Sequence, residues 1–234
     1  MPSPAVYGSP RTSATAATVL LSVCGATTLA SLGVGVSLYA EAGALATGTE
    51  SDGSALMDTA LLYDNVGLLQ LVAMAASAVA FVTWFHRVRV NAEVFDPNGH
   101  RFKRGWAIGG WITPVVNLWF PRQIAGDIWQ AGARPDASGV RPQLPQTLLT
   151  LWWAAFWISN ATARIGSQYL DSASAQFADG YQQAVAWLLA SDLLSVVAAV
   201  LAVLVVRRLT AMQEERFAAA AAPAYGVHGG TVRG

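Results

Sequence analysis

Two groups of side chains in this chain are of the types that do chemistry. The first lies within apolar runs, where a charge needs an opposite charge or water: Arg164 and Asp192. Arg164 sits roughly 9 Å in from the end of its run at 1.5 Å per residue. Trp153, Trp157, Asn160, Arg164 and Ser167 share one helical face, which is expected to look inward. An Arg164–Asp192 ion pair is expected, with Asp64 as the competing partner and Asn160, Trp157 and Ser195 beside a polar pocket open to the outer side. The plainer expectation is a buried pair that only holds helices together. The second group is Arg87, Arg89 and Asn91, near Glu93 and Asn117. It could hold an anionic group, with Asp127 fixing the neighbouring segment. The plainer expectation here is a solvated basic helix end against anionic lipid headgroups.

Other chemistries find no residues. His86, His100 and His228 lie in separate segments without metal-ligand spacing, and the single cysteine, Cys24, can form no disulfide within the chain. No nucleophile-and-base pair or phosphate loop is present. The glycines of residues 105–110 sit in a Trp-flanked apolar segment with no preceding strand, unlike a dinucleotide site. Neither a cofactor nor a metal is expected, and an enzyme is the least favoured class.

These groups must be positioned by membrane helices. Of 234 residues, 54% are hydrophobic and 12% charged, against about a quarter charged in soluble domains. With 14 basic and 14 acidic residues, no bulk field favours nucleic acid. Four apolar runs, about 14–40, 62–85, 146–170 and 181–206, are long enough to span a core about 30 Å thick. Residues 1–13 read as a disordered tail, and 209–234 as a helix extension followed by a second tail. The membrane domain is therefore expected over 14–208.

Charge orients the spans. The first loop carries Glu41, Glu50, Asp52 and Asp58 without a base, whereas Arg87, Arg89, Arg101, Lys103 and Arg104 follow the second span. By the positive-inside rule the first loop is outside and both termini are cytoplasmic. The loop with Asp171 and Asp179 then falls outside, as it should.

Parity also disposes of an apolar stretch that looks like a fifth span, residues 106–131. If 106–120 crossed, Arg207 and Arg208 would lie outside. It is also short, since 15 residues of helix reach only ~22 Å, and Pro114 and Pro121 break it. A re-entrant or interfacial element is expected, with Trp106, Trp111 and Trp119 in the headgroup belt and a short helix over 122–131. The fold class is thus an all-α polytopic bundle of four transmembrane helices plus this segment.

The specific motif runs Arg87-x-Arg89-x-Asn91, then Gly105-Trp106-x-Ile108-Gly109-x-Trp111-x-x-Pro114-x-x-Asn117-Leu118-Trp119-x-Pro121-Arg122, then Asp127-Ile128-Trp129. It resembles the actinobacterial membrane proteins grouped as domain of unknown function DUF 4328, over about residues 14–208. The resemblance implies a multi-span membrane domain and no activity. Three functions remain: a structural or interaction component of the cytoplasmic membrane, a small-solute carrier or channel built by oligomerisation, and a membrane enzyme. The expected partners are the bilayer, anionic headgroups at the cytoplasmic face, and a second copy or another membrane protein.

Overall fold

The computed structural model describes residues 5–49, 53–136, 138–172 and 177–221. Glu50 and Asp52 of the first loop, residues 1–4 and the tail beyond residue 221 lie outside these.

Regular structure among the described residues is helical: α1 (Arg11–Ala46), α2 (Ser54–Phe95), α3 (Trp106–Ile112), α4 (Phe120–Ala131), α5 (Thr147–Leu170) and α6 (Ala178–Ala221), with one 3₁₀ turn at Val116–Leu118. Helices α1, α2 and α6 are each long and apolar enough to cross a membrane, which marks a membrane-associated protein. They run well beyond the apolar stretches that predict them. Apolar length measures lipid contact, while the backbone ladder continues until something stops it. For α1 the stop is Gly48, whose φ of 71° takes the left-handed position just after the helix. For α2 it is Asp96, immediately before Pro97.

The long helices form an open row. α1 packs between α2 and α6, and α6 between α1 and α5, while α2 and α5 do not pack along each other. The α1 interface is a stripe of mostly small side chains, Thr28, Ser31, Gly35, Leu38 and Ala42, at three- and four-residue spacing. Close approach depends on two glycines. A Cβ at Gly35 would lie 2.8 Å from Leu189, and one at Gly166 of α5 would lie 2.9 Å from Leu188 of α6.

At the basic end of the row, α3 and α4 form a hairpin that bridges the α2–α5 opening. Its reversal follows from its prolines. Thr113 is extended (ψ 116°) before Pro114, which ends α3. Val115 then takes φ 67° and ψ −59°, and the Val116 N–H donates to the Pro114 carbonyl at 2.8 Å. This is a γ-turn that a β-branched residue adopts at a cost of about 1–3 kcal/mol. The Trp153 indole N–H offsets it by donating to the Leu118 carbonyl at 3.1 Å, tying the tip to α5. Pro121 does not precede α4 as expected. It occupies the first turn, where no backbone donor is needed, so the helix begins at Phe120.

The aromatic side chains expected in a headgroup belt divide. Trp106 and Trp119 are exposed. Trp111 is instead packed edge-on against Phe81 and Phe85 of α2, at ring separations of 5.5 and 5.8 Å, and against Trp153 and Phe156 of α5, at 5.9 and 6.5 Å. With the direct contact of Phe81 and Trp152, ring centroids 5.6 Å apart, it joins two helices that do not pack along their length.

Candidate functional site

The basic end holds most of the polar contacts. Arg89, 2% exposed, donates to Glu93 at 2.9 Å and to the Phe102 carbonyl at 2.6 Å. Arg104 holds the other oxygen of Glu93 at 2.5 Å. One turn-and-loop unit thus links the end of α2 to the entrance of α3. Asp127, on the buried face of α4, accepts from the Arg101 backbone N–H at 3.1 Å and from its guanidinium at 3.0 and 2.8 Å. Arg122 donates to Gln146 and Thr150 at the start of α5, each at 2.9 Å. Arg141 pairs with Asp96, and Arg216 of α6 donates to the carbonyls of Ala131, Ala133 and Phe95.

Residues 5–10 are not a free tail. The Asn91 side chain, fully buried, accepts from the Gly8 N–H at 3.1 Å and donates to the Gly8 carbonyl at 2.9 Å and to Gln213 at 3.1 Å. Gln213 in turn donates to the Val88 carbonyl at 2.8 Å. Tyr7, Ser9 and Arg11 converge on Glu214 at 3.0, 2.6 and 2.9 Å. The Tyr7 ring stacks on Phe217 with centroids 3.9 Å apart. The segment looks like a tail in the sequence because it is rich in Pro, Ser and Gly. Its anchors are on α2 and α6, more than eighty residues away.

A second polar cluster lies deep in the α1–α2–α6 interface. Ser31 donates to Asp192 at 2.9 Å, and the Gln70 amide donates to Thr28 at 3.0 Å and to Asp192 at 3.5 Å. Asp192 is 7% exposed, and Ser31 and Thr28 are each 2% exposed.

Both expected groupings are altered by this arrangement. Arg164 is exposed and makes no ion pair with Asp192, which faces α1 and α2 across the row from α5. Asp64 is also exposed and pairs with neither among the described residues. The inward face of α5 is Leu149, Trp152, Ala155, Ser159, Thr162 and Gly166. The stripe of Trp157, Asn160 and Arg164 lies outside it: Asn160 is exposed, and its amide turns back to the Phe156 carbonyl at 2.7 Å. Ser195 is half-buried and makes no hydrogen bond to Asp192. At the basic end, Arg89 and Asn91 serve opposite sides of α2, the hairpin entrance and the Gly8 strap. Arg87 is exposed beside Gly8, and Asn117 is in the hairpin tip with no hydrogen bond to any of them. No single anion site gathers these four. Trp129 is 6% exposed within the core between α4 and the long helices.

Several site residues escaped the sequence reading. Ser31, Thr28 and Gln70 carry a legible signal, polarity in the middle of apolar runs. Gln213, Glu214 and Arg216 carry only the amphipathic pattern of the α6 extension. Gly8 and Tyr7 carry none.

Electrostatics at the basic end follow from burial and neighbours. Burial works against the charge of Glu93, but hydrogen bonds and charge from Arg104 and Arg89 outweigh it and hold its carboxyl below the usual range. Glu214 behaves likewise through Ser9, Tyr7 and Arg11. Burial, and then the charge of Arg89, pushes His100 below its ordinary 6.5. His100 is therefore neutral in the fold where the unfolded chain would take a proton, so stability falls as pH drops below about 6.5. The two carboxylates, ionised in the fold, add a further loss only as pH falls below the ordinary value of 4.5. Burial, and then Arg104, Arg87 and Arg89, pushes His86 down in the same way, so His100→Gln is expected to shrink the first step, His100→Gln with His86→Gln to flatten it, and neither to alter the second, read from unfolding midpoints of the detergent-solubilised protein over a pH series.

No curated protein and no solved structure matches the chain. A family model does match, over residues 47–211, which takes in α2 through most of α6, including the hairpin, and leaves out α1. The chain, with its Trp/Pro hairpin lodged between α2 and α5, belongs to the family described as Domain of unknown function (DUF4328).

Proposed function

We propose that this is a four-span protein of the cytoplasmic membrane with both termini cytoplasmic, whose hairpin enters from the cytoplasmic side and returns, and whose role is structural: a scaffold that engages other membrane components. In this reading α5 is the fourth span and residues 14–208 form the membrane domain. The observation that carries it is how the polar groups are used. Arg89, Asn91, Asp127 and Gln213, all buried, bond to backbone and side chains of their own chain. Little polar surface is left converging on an open space. The cavity near the α1–α2 connection, about 310 Å³, is lined mainly by apolar side chains such as Leu45, Leu56 and Met57.

The hairpin's ends support its re-entrant course. Arg104 at its start pairs with Glu93, and the carbonyls of Ala131 and Ala133 at its finish accept from Arg216, so both ends lie beside the basic ends of α2 and α6. The tip, with Ile112 and Val115 exposed, is apolar enough for lipid. The open α2–α5 side and the exposed Arg164 suit a second copy or a membrane partner. Arg87, exposed at the basic end, suits anionic headgroups.

Cysteine labelling in a Cys24→Ser background tests the topology. Gly105→Cys has open space around its Cβ. It and Gln123→Cys are expected to react with a membrane-impermeant thiol reagent from the same, cytoplasmic side. Labelling from opposite faces would sink the re-entrant course. Solute or ion flux through vesicles reconstituted with the pure protein would replace the scaffold reading with a carrier or channel.

A further inference from the structure

The Asp192 cluster ties α1, α2 and α6 together, but hydrogen bonds between neutral groups would do that without a carboxylate. Asp192 lies about 21 Å from the Ala178 end of α6 and about 22 Å short of Arg207, at 1.5 Å per residue, and so near mid-membrane in the four-span arrangement. Among the described residues, no cation stands opposite it: its oxygens meet Ser31 and the Gln70 amide, which are neutral. A carboxylate at such depth without an opposite charge is costly. The Arg164 charge, exposed on α5, points elsewhere. Neutrality must therefore come from something bound.

We propose that Asp192, Ser31, Thr28 and Gln70 form a binding site for a monovalent cation, either a proton on the carboxyl or a sodium-sized ion held by hard oxygens. The geometry supplies oxygens from α6 and α1, with an amide from α2 between them: both carboxylate oxygens of Asp192, Ser31 Oγ at 2.9 Å from one of them, and Thr28 Oγ1 joined to Asp192 through the Gln70 amide nitrogen. Half a turn about its terminal torsion lets Gln70 present its oxygen in place of its nitrogen, so the same residue serves the empty and the occupied site. Hard cations take such oxygen ligands.

The surroundings are more polar on one side. Toward the acidic loops, Tyr63 borders Gly35, one turn beyond Ser31, and Asp64, Tyr181, Gln182 and Glu41 lie further out. Toward the basic end the interface holds Cys24 and Ser77, and then the buried rings of Phe81, Trp84 and Phe85. The titratable groups facing the site are thus Cys24 on α1 and Tyr63 on α2, with Asp64 and Tyr181 further toward the acidic loops. α5, on the other side of α6, brings Arg164 only to its exposed face.

The test is the unfolding midpoint of the full-length protein in detergent, followed as pH is raised in choline chloride and again with sodium chloride in its place. Asp192→Asn keeps partners for Ser31 and Gln70 while removing the charge. The wild type should lose several degrees as pH rises in choline, and the variant should not. His100, Glu93 and Glu214 are present in both proteins, so they cancel in the comparison. Sodium that restores the alkaline loss identifies a sodium site; sodium without effect identifies a proton site. Identical pH and sodium dependence in the two proteins overturns the proposal. Should Asp192→Asn not fold, carbodiimide labelling of wild-type Asp192, read by mass spectrometry, decides. Labelling that falls with rising pH or with sodium supports the site, and labelling that responds to neither, or none at acid pH, overturns it.

Discussion

Arg89→Ala is expected to cost the folded protein about 3–5 kcal/mol, the range for removing one partner from a buried ion pair. The Arg89 guanidinium is 2% exposed and spends its donors on Glu93 and on the Phe102 carbonyl. Its removal leaves that carbonyl without a donor and Glu93 dependent on Arg104 alone. Lysine is a poor rescue, because a single ammonium cannot reach a carboxylate and a carbonyl in the fixed geometry of the fork. The retained pair with Arg104 places the loss toward the lower end of the range. Arg87→Ala, two residues away but exposed, should change stability by no more than about 0.5 kcal/mol. Unfolding midpoints in detergent separate the two; equal losses would mean that α2 does not present Arg89 to the hairpin entrance.

Trp111→Ala is the other large effect. Its ring touches Phe81 and Phe85 on α2 and Trp153 and Phe156 on α5, all edge to face. Truncating a buried aromatic costs about 3–5 kcal/mol through lost burial and the cavity left behind, and Trp111, partly buried against the core, is expected at the lower end. Here the loss also has a topological readout, because the indole links two helices whose direct ring contact is Phe81 against Trp152 at 5.6 Å. In a Trp111→Ala background, Thr113→Cys at the tip should become more reactive to thiol reagents as the hairpin loosens. Trp119→Ala, at a ring 40% exposed, should cost much less. A Trp111→Ala protein with unchanged stability and tip reactivity would place the hairpin outside the α2–α5 opening.

Features that depend on near neighbours in the chain are legible in its sequence. The membrane class, the helical content, the break at Pro114 and the family motif all depend on composition and on interactions within a few residues. Thr113 is extended because the next residue is proline, whatever the remainder of the chain does. The limits are equally particular. Arg164 and Asp192 are the obvious complementary charges inside apolar runs, yet α6 turns Asp192 toward α1 and α2, while α5 leaves Arg164 on its outer face. Helix rotation is set by which side chains interdigitate. Here Gly166 against Leu188 fixes that contact, and both glycine and leucine look inert in a hydropathy pattern.

From residues alone, then, come an all-helical membrane-associated chain, its interrupted Trp/Pro segment and its family, since each depends on local backbone preference and on the transfer of apolar side chains out of water. Partner identity did not follow. That Asn91 holds Gly8, that Asp192 meets Ser31 and Gln70 in place of Arg164, and that Trp111 leaves the headgroup belt for the gap between α2 and α5 all depend on the order of helices in the row and their rotation. Those follow from close packing between segments far apart in the chain, and no local pattern encodes them.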